Sequence, residues 1–371
     1  MEELLLKQKV YDGTLEWNNA GWTGKGINVW NMENFNARHG KTSTERIKQA
    51  APDANVFTLT HFGSFKDGKV VEEHVEGYGS AQNFIETEHI SICTVSVEGY
   101  NTEAGGRAEL YKELKKKNNL VMFTAAGNNG PETISVDYGI FMYVGAANFL
   151  KDKPVMASYS SGGVGKGIVD FTSFSMPGNP GTSFSCPYLA GIASILQQRY
   201  GTDMSYNEIY EYFKMIAQPI LTEYKSTDVP GYDYWSGWGI PILPSIEKQY
   251  IVMEINKKTF KVDGKIKEMN TSPFIKNQRT FVPISFIALA LKADVSWDDK
   301  EKMVTIIKNN TVLQMYIDKN TYLLNGKPYM MDAAPFIKDS RTFVPIAFVA
   351  TALNCKVSWV AEEAKVLILE Q

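Results

Sequence analysis

Ile90-Ser-Ile-Cys-Thr-Val-Ser-Val97 limits the possible folds more than any other stretch of this 371-residue chain. It is β-branched and almost continuously apolar, the pattern of a strand covered on both faces. Such a strand needs helices above and below it, so its sequence neighbours should alternate between strand and helix. They do. Residues 17–26 read as a short helix ending in a glycine-rich turn, and Ile27-Asn-Val-Trp-Asn-Met32 reads as a strand. His39-Gly40 opens a helix that halts at Pro52. Val56-Phe-Thr-Leu-Thr60, Leu120-Val-Met-Phe-Thr124 and Phe141-Met-Tyr-Val-Gly145 read as further strands, and residues 77–87 and 108–117 as helices. Through about residue 200 the expected fold class is α/β, a mostly parallel sheet with helices on both faces.

A core helix follows the loop Met176-Pro-Gly-Asn-Pro180. Its start is Gly181-Thr-Ser-Phe-Ser-Cys-Pro-Tyr-Leu-Ala-Gly191, and Leu189, Ile192, Ile195 and Leu196 recur at three- and four-residue steps. Pro187 reads as lying in the first turns, where a missing N–H matters least. Ser183 has two readings: a helix N-cap, or a nucleophilic hydroxyl at the positive end of the helix.

Net charge is −3, which offers no basic surface to nucleic acid. The three cysteines, Cys93, Cys186 and Cys355, are odd in number and far apart, which argues against a disulfide framework or a zinc site. The first nine residues lack the basic start and long apolar core of a secretory signal. No stretch approaches the ~20 apolar residues of a membrane span. Localisation stays open: synthesis without a signal peptide leaves the chain cytoplasmic or released by another route, and no cofactor is expected.

Character changes near residues 245–250. Residues 221–238, rich in Tyr, Trp, Gly and Asp, read as irregular chain wrapping the first domain, and Ile240-Pro-Ile-Leu-Pro244 as an exit linker. Beyond them the chain repeats itself. Pro273-Phe-Ile-Lys-Asn-Gln-Arg-Thr-Phe-Val-Pro283 recurs as Pro335-Phe-Ile-Lys-Asp-Ser-Arg-Thr-Phe-Val-Pro345, and Val295-Ser-Trp297 as Val357-Ser-Trp359, each 62 residues on. Each repeat reads as a hairpin with a Gly turn, an extended segment, a helix (284–291, 346–353) and two strands. The expected domains are 1–246, with 1–14 a short extension able to cover a cleft, and a smaller α+β domain at 250–371, divided at about 309/310.

Four polar residues stand out. Glu33 follows the first strand, at the edge where open α/β sheets gather their active groups. His39 is one of only four histidines, with His61, His74 and His89. Asn128 follows a strand in Ala125-Ala-Gly-Asn128. Singly, each has an ordinary reading: a solvated carboxylate, a cap-region histidine, a turn amide.

Together they resemble the subtilisin-like serine proteases. Thr23-Gly-Lys-Gly26 before Ile27-Asn-Val29 is similar to that family's approach to its first strand. Glu33 falls seven residues after Gly26, where the family has its acidic triad member. His39-Gly40, Ala51-Pro-Asp-Ala54, Ala125-Ala-Gly-Asn128, Ala157-Ser-Tyr-Ser-Ser161 and Gly181-Thr-Ser183 with Pro187 and Ala190-Gly191 resemble further motifs, over about residues 15–245. The resemblance implies Ser183 as nucleophile, His39 as general base, Glu33 as its orienter and Asn128 in the oxyanion hole. It also implies a polypeptide substrate lying as an added strand along Ser96, Val97, Glu98 and Gly99 and along Ala125, Ala126 and Gly127. Glu33 replaces the family's Asp, and Asn31 competes for that position. Only five residues separate Glu33 from His39, so the family's calcium-bearing loop is absent and no metal site is expected. The alternative is a pseudo-protease acting as a binding or structural component; a third reading makes the C-terminal pair of repeats the functional half, with a protease that acts only on itself.

Residues 250–371 resemble the small domain at the N-terminus of some copper amine oxidases, repeated as a stalk in many secreted bacterial proteins. The resemblance does not imply copper, because this region contains no histidine. It suggests a bacterial or bacteriophage setting and docking to a cell envelope, a virion or another protein.

Overall fold

The computed structural model describes residues 1–33, 36–66, 69–96, 107–131, 139–163 and 169–371, with backbone alone at 61–66, 69–74 and 107. The chain divides into two units, Met1–Ile246 and Glu247–Gln371.

The first unit begins with α1 (Glu2–Tyr11), α2 (Thr14–Asn19), β1 (Asn28–Asn31), α3 (Arg38–Ala50) and β2 (Asn55–Thr58). A hairpin of β3 (His61–Lys66) and β4 (Lys69–Val75) leads to α4 (Ala81–Thr87), β5 (Ile92–Val95), α5 (Arg107–Asn118) and β6 (Val121–Ala125). Then come β7 (Met142–Leu150), β8 (Lys153–Met156), β9 (Phe171–Phe174), α6 (Thr182–Tyr200), α7 (Tyr206–Ile216), β10 (Ala217–Gln218) and β11 (Ile240–Pro241). The main sheet runs β2-β1-β5-β6-β7, all parallel, with β9 also parallel on β7 and β8 antiparallel to it.

All four residues of β5 are buried. Trp30, Cys93 and Met122 pack on one face with Phe84 of α4 and Tyr111 and Leu114 of α5. Asn31 and Thr94, one residue further along, reach Ser43 of α3 and Cys186 of α6 on the other. α6 is buried over almost its whole length, as a helix apolar all round must be. The buried face of α3 is made of smaller residues, Gly40, Thr42, Ser43 and Ala50 among them, besides Arg46 and Ile47. The two helices meet at Gly191, where a Cβ would stand 2.7 Å from the Ile47 carbonyl oxygen and 2.8 Å from Ala50 Cβ.

Two expectations change. Pro187 is the sixth residue of α6, beyond the first turn, so the bond it removes is the one Ser183 C=O would accept. Residues 240–244 are no exit linker: β11 pairs with β10, Leu243 N–H donates to Asp12 C=O, and Trp17 Nε1 donates to Pro244 C=O. Ile240 is buried with Ala147 and Phe174, with Tyr11, Phe149 and Ile242 packed against them, and Leu243 is buried as well. Of residues 1–14, Gln8, Asp12 and Thr14 are buried against other parts of the unit. α7 was not anticipated, although Ser205 and Glu208 form a full capping box at its start.

The second unit interleaves its repeats. The first contributes β12 (Tyr250–Glu254), β13 (Thr259–Val262), β14 (Lys265–Glu268), β15 (Phe274–Lys276), β16 (Arg279–Pro283), α8 (Ile284–Ala290), β17 (Asp294–Asp298) and β18 (Met303–Lys308). The second contributes β19 (Thr311–Tyr316), β20 (Thr321–Leu324), β21 (Lys327–Met330), β22 (Phe336–Lys338), β23 (Arg341–Pro345), α9 (Ile346–Ala352), β24 (Cys355–Val360) and β25 (Lys365–Glu370). One sheet is β14-β13-β12-β25-β24 and another is β17-β18-β19-β20-β21, so each joins the opening strands of one repeat to the closing strands of the other. The third sheet, β15-β16-β23-β22, pairs the repeats directly, with Val282 opposite Val344. A single apolar cluster runs through both repeats, from Ile251 and Val282 to Val344 and Ile368. A division at 309/310 therefore does not separate two bodies.

Two outcomes follow. Gly191→Ala should cost about 1–3 kcal/mol in denaturant unfolding, because the new methyl has no room without moving α3; an unchanged midpoint contradicts that packing. A fragment of residues 247–309 should be unfolded or a strand-exchanged dimer by circular dichroism and size-exclusion chromatography, and a folded monomer contradicts the interleaving.

Candidate active site

The parallel strands β1, β5 and β6 end side by side, and the first turns of α3 and α6 meet them there. Beyond β1, Met32 N–H still pairs with Thr94 C=O, and Glu33 N–H then donates back to Asn31 C=O at 2.8 Å. This tight turn leaves the Glu33 side chain only 4% exposed. Its Oε2 lies 3.1 Å from His39 Nδ1, on the first turn of α3, while its Oε1 has no partner among the described residues. The hydrogen bond to Glu33 is the main reason the His39 pKa is raised above 6.5, with partial burial opposing it and the carboxylate's charge adding to it. Asn31 is occupied elsewhere. Its Oδ1 accepts from Ser43 Oγ at 2.8 Å, and its Nδ2 faces Thr44 and Thr58.

Gly181, not Ser183, is the N-cap of α6, and the helix has no side-chain cap bond. Ser183, the second helical residue, donates its hydroxyl to Ser96 C=O at 3.0 Å. No Ser183–His39 hydrogen bond is formed, yet His39, Asn128 and Ser183 line one cleft of about 480 Å³, with Arg38, Pro180 and Phe184. The Phe184 ring lies 5.2 Å from the His39 ring and walls one side.

Asn128 is held by its oxygen, which accepts from Thr182 N–H at 2.9 Å and Thr182 Oγ at 3.2 Å. Since the backbone N–H can only donate, the amide orientation is set, and its NH₂ has no partner among the described residues. Ser183 N–H lies in the first turn of α6, where an N–H has no acceptor within the helix. Beneath them, Cys186 Sγ lies 3.2 Å from Thr94 Oγ. Burial, with the Glu33 charge adding to it, pushes this thiol up to about 12, so it stays protonated and is no rival nucleophile.

Of the expected substrate-lining residues, Val97, Glu98 and Gly99 lie outside the described residues. Ser96 C=O faces Ser183. Ala126 N–H is taken by Val144 C=O, and Gly127 N–H by Thr182 Oγ at 3.2 Å, so neither donates to an added strand. Thr182 was not singled out from the sequence; it stands beside Ser183 and ties both Asn128 and Gly127.

Residues 246–368 match the family described as copper amine oxidase N-terminal domain, one match across both repeats. No curated protein matches the chain. Among solved structures, MycP1 from Mycobacterium smegmatis is similar over 64% of this chain and 82% of its own, at 13% identity and a TM-score of 0.44. The prenylagaramide maturation protease PagA is similar over 63% and 97%, at 17% identity and a TM-score of 0.44. A psychrophilic protease is similar over 60% and 93%, also at 17% identity and a TM-score of 0.44.

The residues of the second unit do not fit a copper centre. None of the four histidines lies there, and burial pushes its one thiol, Cys355, up to about 11. Among the described residues, no three His, Cys, Asp or Glu side chains converge as a metal site, and no helix is long and apolar enough to cross a membrane.

His39 should titrate above 6.5 by NMR of its ring protons, and Glu33→Gln should lower that midpoint. A midpoint unmoved by Glu33→Gln contradicts the pairing.

Proposed function

We propose that residues 1–246 are a serine endopeptidase that works through an acyl-enzyme on Ser183. The observation carrying this reading is the buried Glu33 carboxylate on His39 Nδ1, with the ring and Ser183 lining one cleft. Glu33 holds Nδ1 as the protonated nitrogen, which leaves Nε2 as the base. Ser183 Oγ turns from Ser96 C=O toward Nε2, gives up its proton and attacks the substrate carbonyl. The oxyanion that forms takes donors from the Asn128 amide and Ser183 N–H. His39 then returns the proton to the leaving amine, and water repeats the sequence on the ester to release the acid.

A second reading has one observation in its favour: the Ser183 hydroxyl donates to Ser96 and not to His39. In that reading the chain is a catalytically impaired relative that acts as a binding component. The two repeats, in either case, present the half-exposed indoles of Trp297 and Trp359 at matching positions and serve as an attachment unit.

An active-site-directed fluorophosphonate should label the intact protein at Ser183 and fail on Ser183→Ala. Asn128→Ala should slow inactivation by roughly 10²–10³. The absence of labelling at pH 8, where the His39 base is more fully deprotonated than at neutral pH, selects the impaired reading.

A further inference from the structure

Ser183 sits between two backbone groups that are tied, by separate routes, to one side chain on α1. Two residues before it, Gly181 N–H donates to Ser175 Oγ at 2.9 Å and Gly181 C=O accepts from the same hydroxyl at 3.1 Å. The C=O of Ser175 accepts from Gln8 Nε2 at 2.9 Å. One residue after it, Phe184 C=O accepts from Arg46 Nε at 2.9 Å, and Arg46 Nη1 donates to Gln8 Oε1 at 3.3 Å. Gln8 is the point where both routes meet, and it is 4% exposed.

Arg46 makes the arrangement more than local. It lies on α3 seven residues beyond His39, on the same helical face. Its guanidinium is fully buried and also donates to Phe174 C=O and to Gln49. The Tyr188 ring of α6 lies 4.3 Å from it. Burial brings its pKa down to about 10, while the charge of Asp12 acts in the opposite direction. Asp12 is itself held by Thr14 and by Tyr188 OH at 2.8 Å. One buried cation thus joins the helix bearing His39, the helix bearing Ser183 and the segment that follows α1.

We propose that Gln8 is a positioning residue for Ser183 and that α1 is a permanent brace of the catalytic unit, not a segment removed on activation. Its effect on catalysis rests on the endopeptidase reading above; its effect on the loop does not. A Gln side chain fits both tasks because it supplies a donor and an acceptor at once. Without it, Ser175 C=O and Arg46 Nη1 would each lose a partner in a buried place. The segment from Ser175 to Phe184 would then be held by fewer bonds, and the Ser183 hydroxyl and the oxyanion donors would spend less time in register.

The test uses Gln8→Met, which keeps the volume and loses both bonds, and Leu6→Gln as an exposed control on the same helix. In fluorophosphonate inactivation, Gln8→Met should lower kinact at least fivefold with KI within twofold, while Leu6→Gln matches wild type. By mass-spectrometric hydrogen exchange, Gln8→Met should raise exchange at 176–184 and leave 92–95 and 121–125 as in wild type. Should Gln8→Met fail to fold, Gln8→Glu, which keeps the acceptor for Arg46 and loses the donor to Ser175, gives the same two readouts. If a folded variant has wild-type kinact and wild-type exchange, the proposal is overturned. If wild type itself does not label, the endopeptidase reading fails and exchange at 176–184 alone decides the brace: faster supports it, unchanged overturns it.

Discussion

The first unit depends on how closely α3 and α6 approach each other. His39 is on the first turn of one helix and Ser183 on the first turn of the other, so their separation follows from the packing of two helix bodies. That packing is set where Gly191 faces the Ile47 carbonyl, with Ala50 beside it. Small residues at a crossing let backbones come together, and any side chain at 191 would act as a lever on the end that carries His39 and Ser183. Arg46 reinforces the same crossing with hydrogen bonds to two carbonyls, at the cost of desolvating a guanidinium. Position at the site is thus a property of rigid elements, while the loops only complete it.

Much of this was legible in the sequence, for identifiable reasons. The run from Ile90 to Val97 had no polar face, and β5 is indeed covered on both sides. Glu33, His39, Asn128 and Ser183 could be brought together because the motifs around them resemble those of one family; singly, each had an ordinary reading. Their environments could not be read. Nothing in the spacing said that Asn31 would be absorbed by Ser43, Thr44 and Thr58, or that Ser183 would donate to Ser96. Gln8 and Arg46 were invisible for a related reason: a polar residue in an amphipathic helix reads as solvated until its partners, 38 and 138 residues away, are known. The Ile240–Leu243 segment misled because its prolines resemble a linker, although one paired strand and a short polar contact were enough to bury it.

The second unit shows a different limit. The 62-residue repeat was plain in the chain, and each element recurs at that spacing. Repetition says which elements exist but not which copy they pair with. Each repeat has a three-strand meander at its start and a hairpin at its end. Exchanging the hairpins lets both helices and all three sheets share one apolar cluster, where two separate small domains would each bury proportionately less surface. The ring cluster of Phe274, Phe281, Phe336 and Phe343 follows the same approximate two-fold, with parallel-displaced pairs within each repeat and tilted contacts between them.

Glu33, which stands where the subtilisin-like proteases that the sequence resembles have Asp, can be weighed on the same physical terms. A carboxylate that accepts several hydrogen bonds has its charge spread over several donors. Glu33 has one bond to His39, and its other oxygen is buried without a partner among the described residues. The interaction with the ring therefore carries more of the carboxylate's compensation, which fits a His39 pKa raised above its ordinary value despite partial burial. In the proposed mechanism, a strong hold on the imidazolium favours the charge that develops as Ser183 gives up its proton. The same hold raises the share of His39 that is protonated at a given pH, so under the proposed mechanism activity at low pH is exchanged for stabilisation of the ion pair in the transition state.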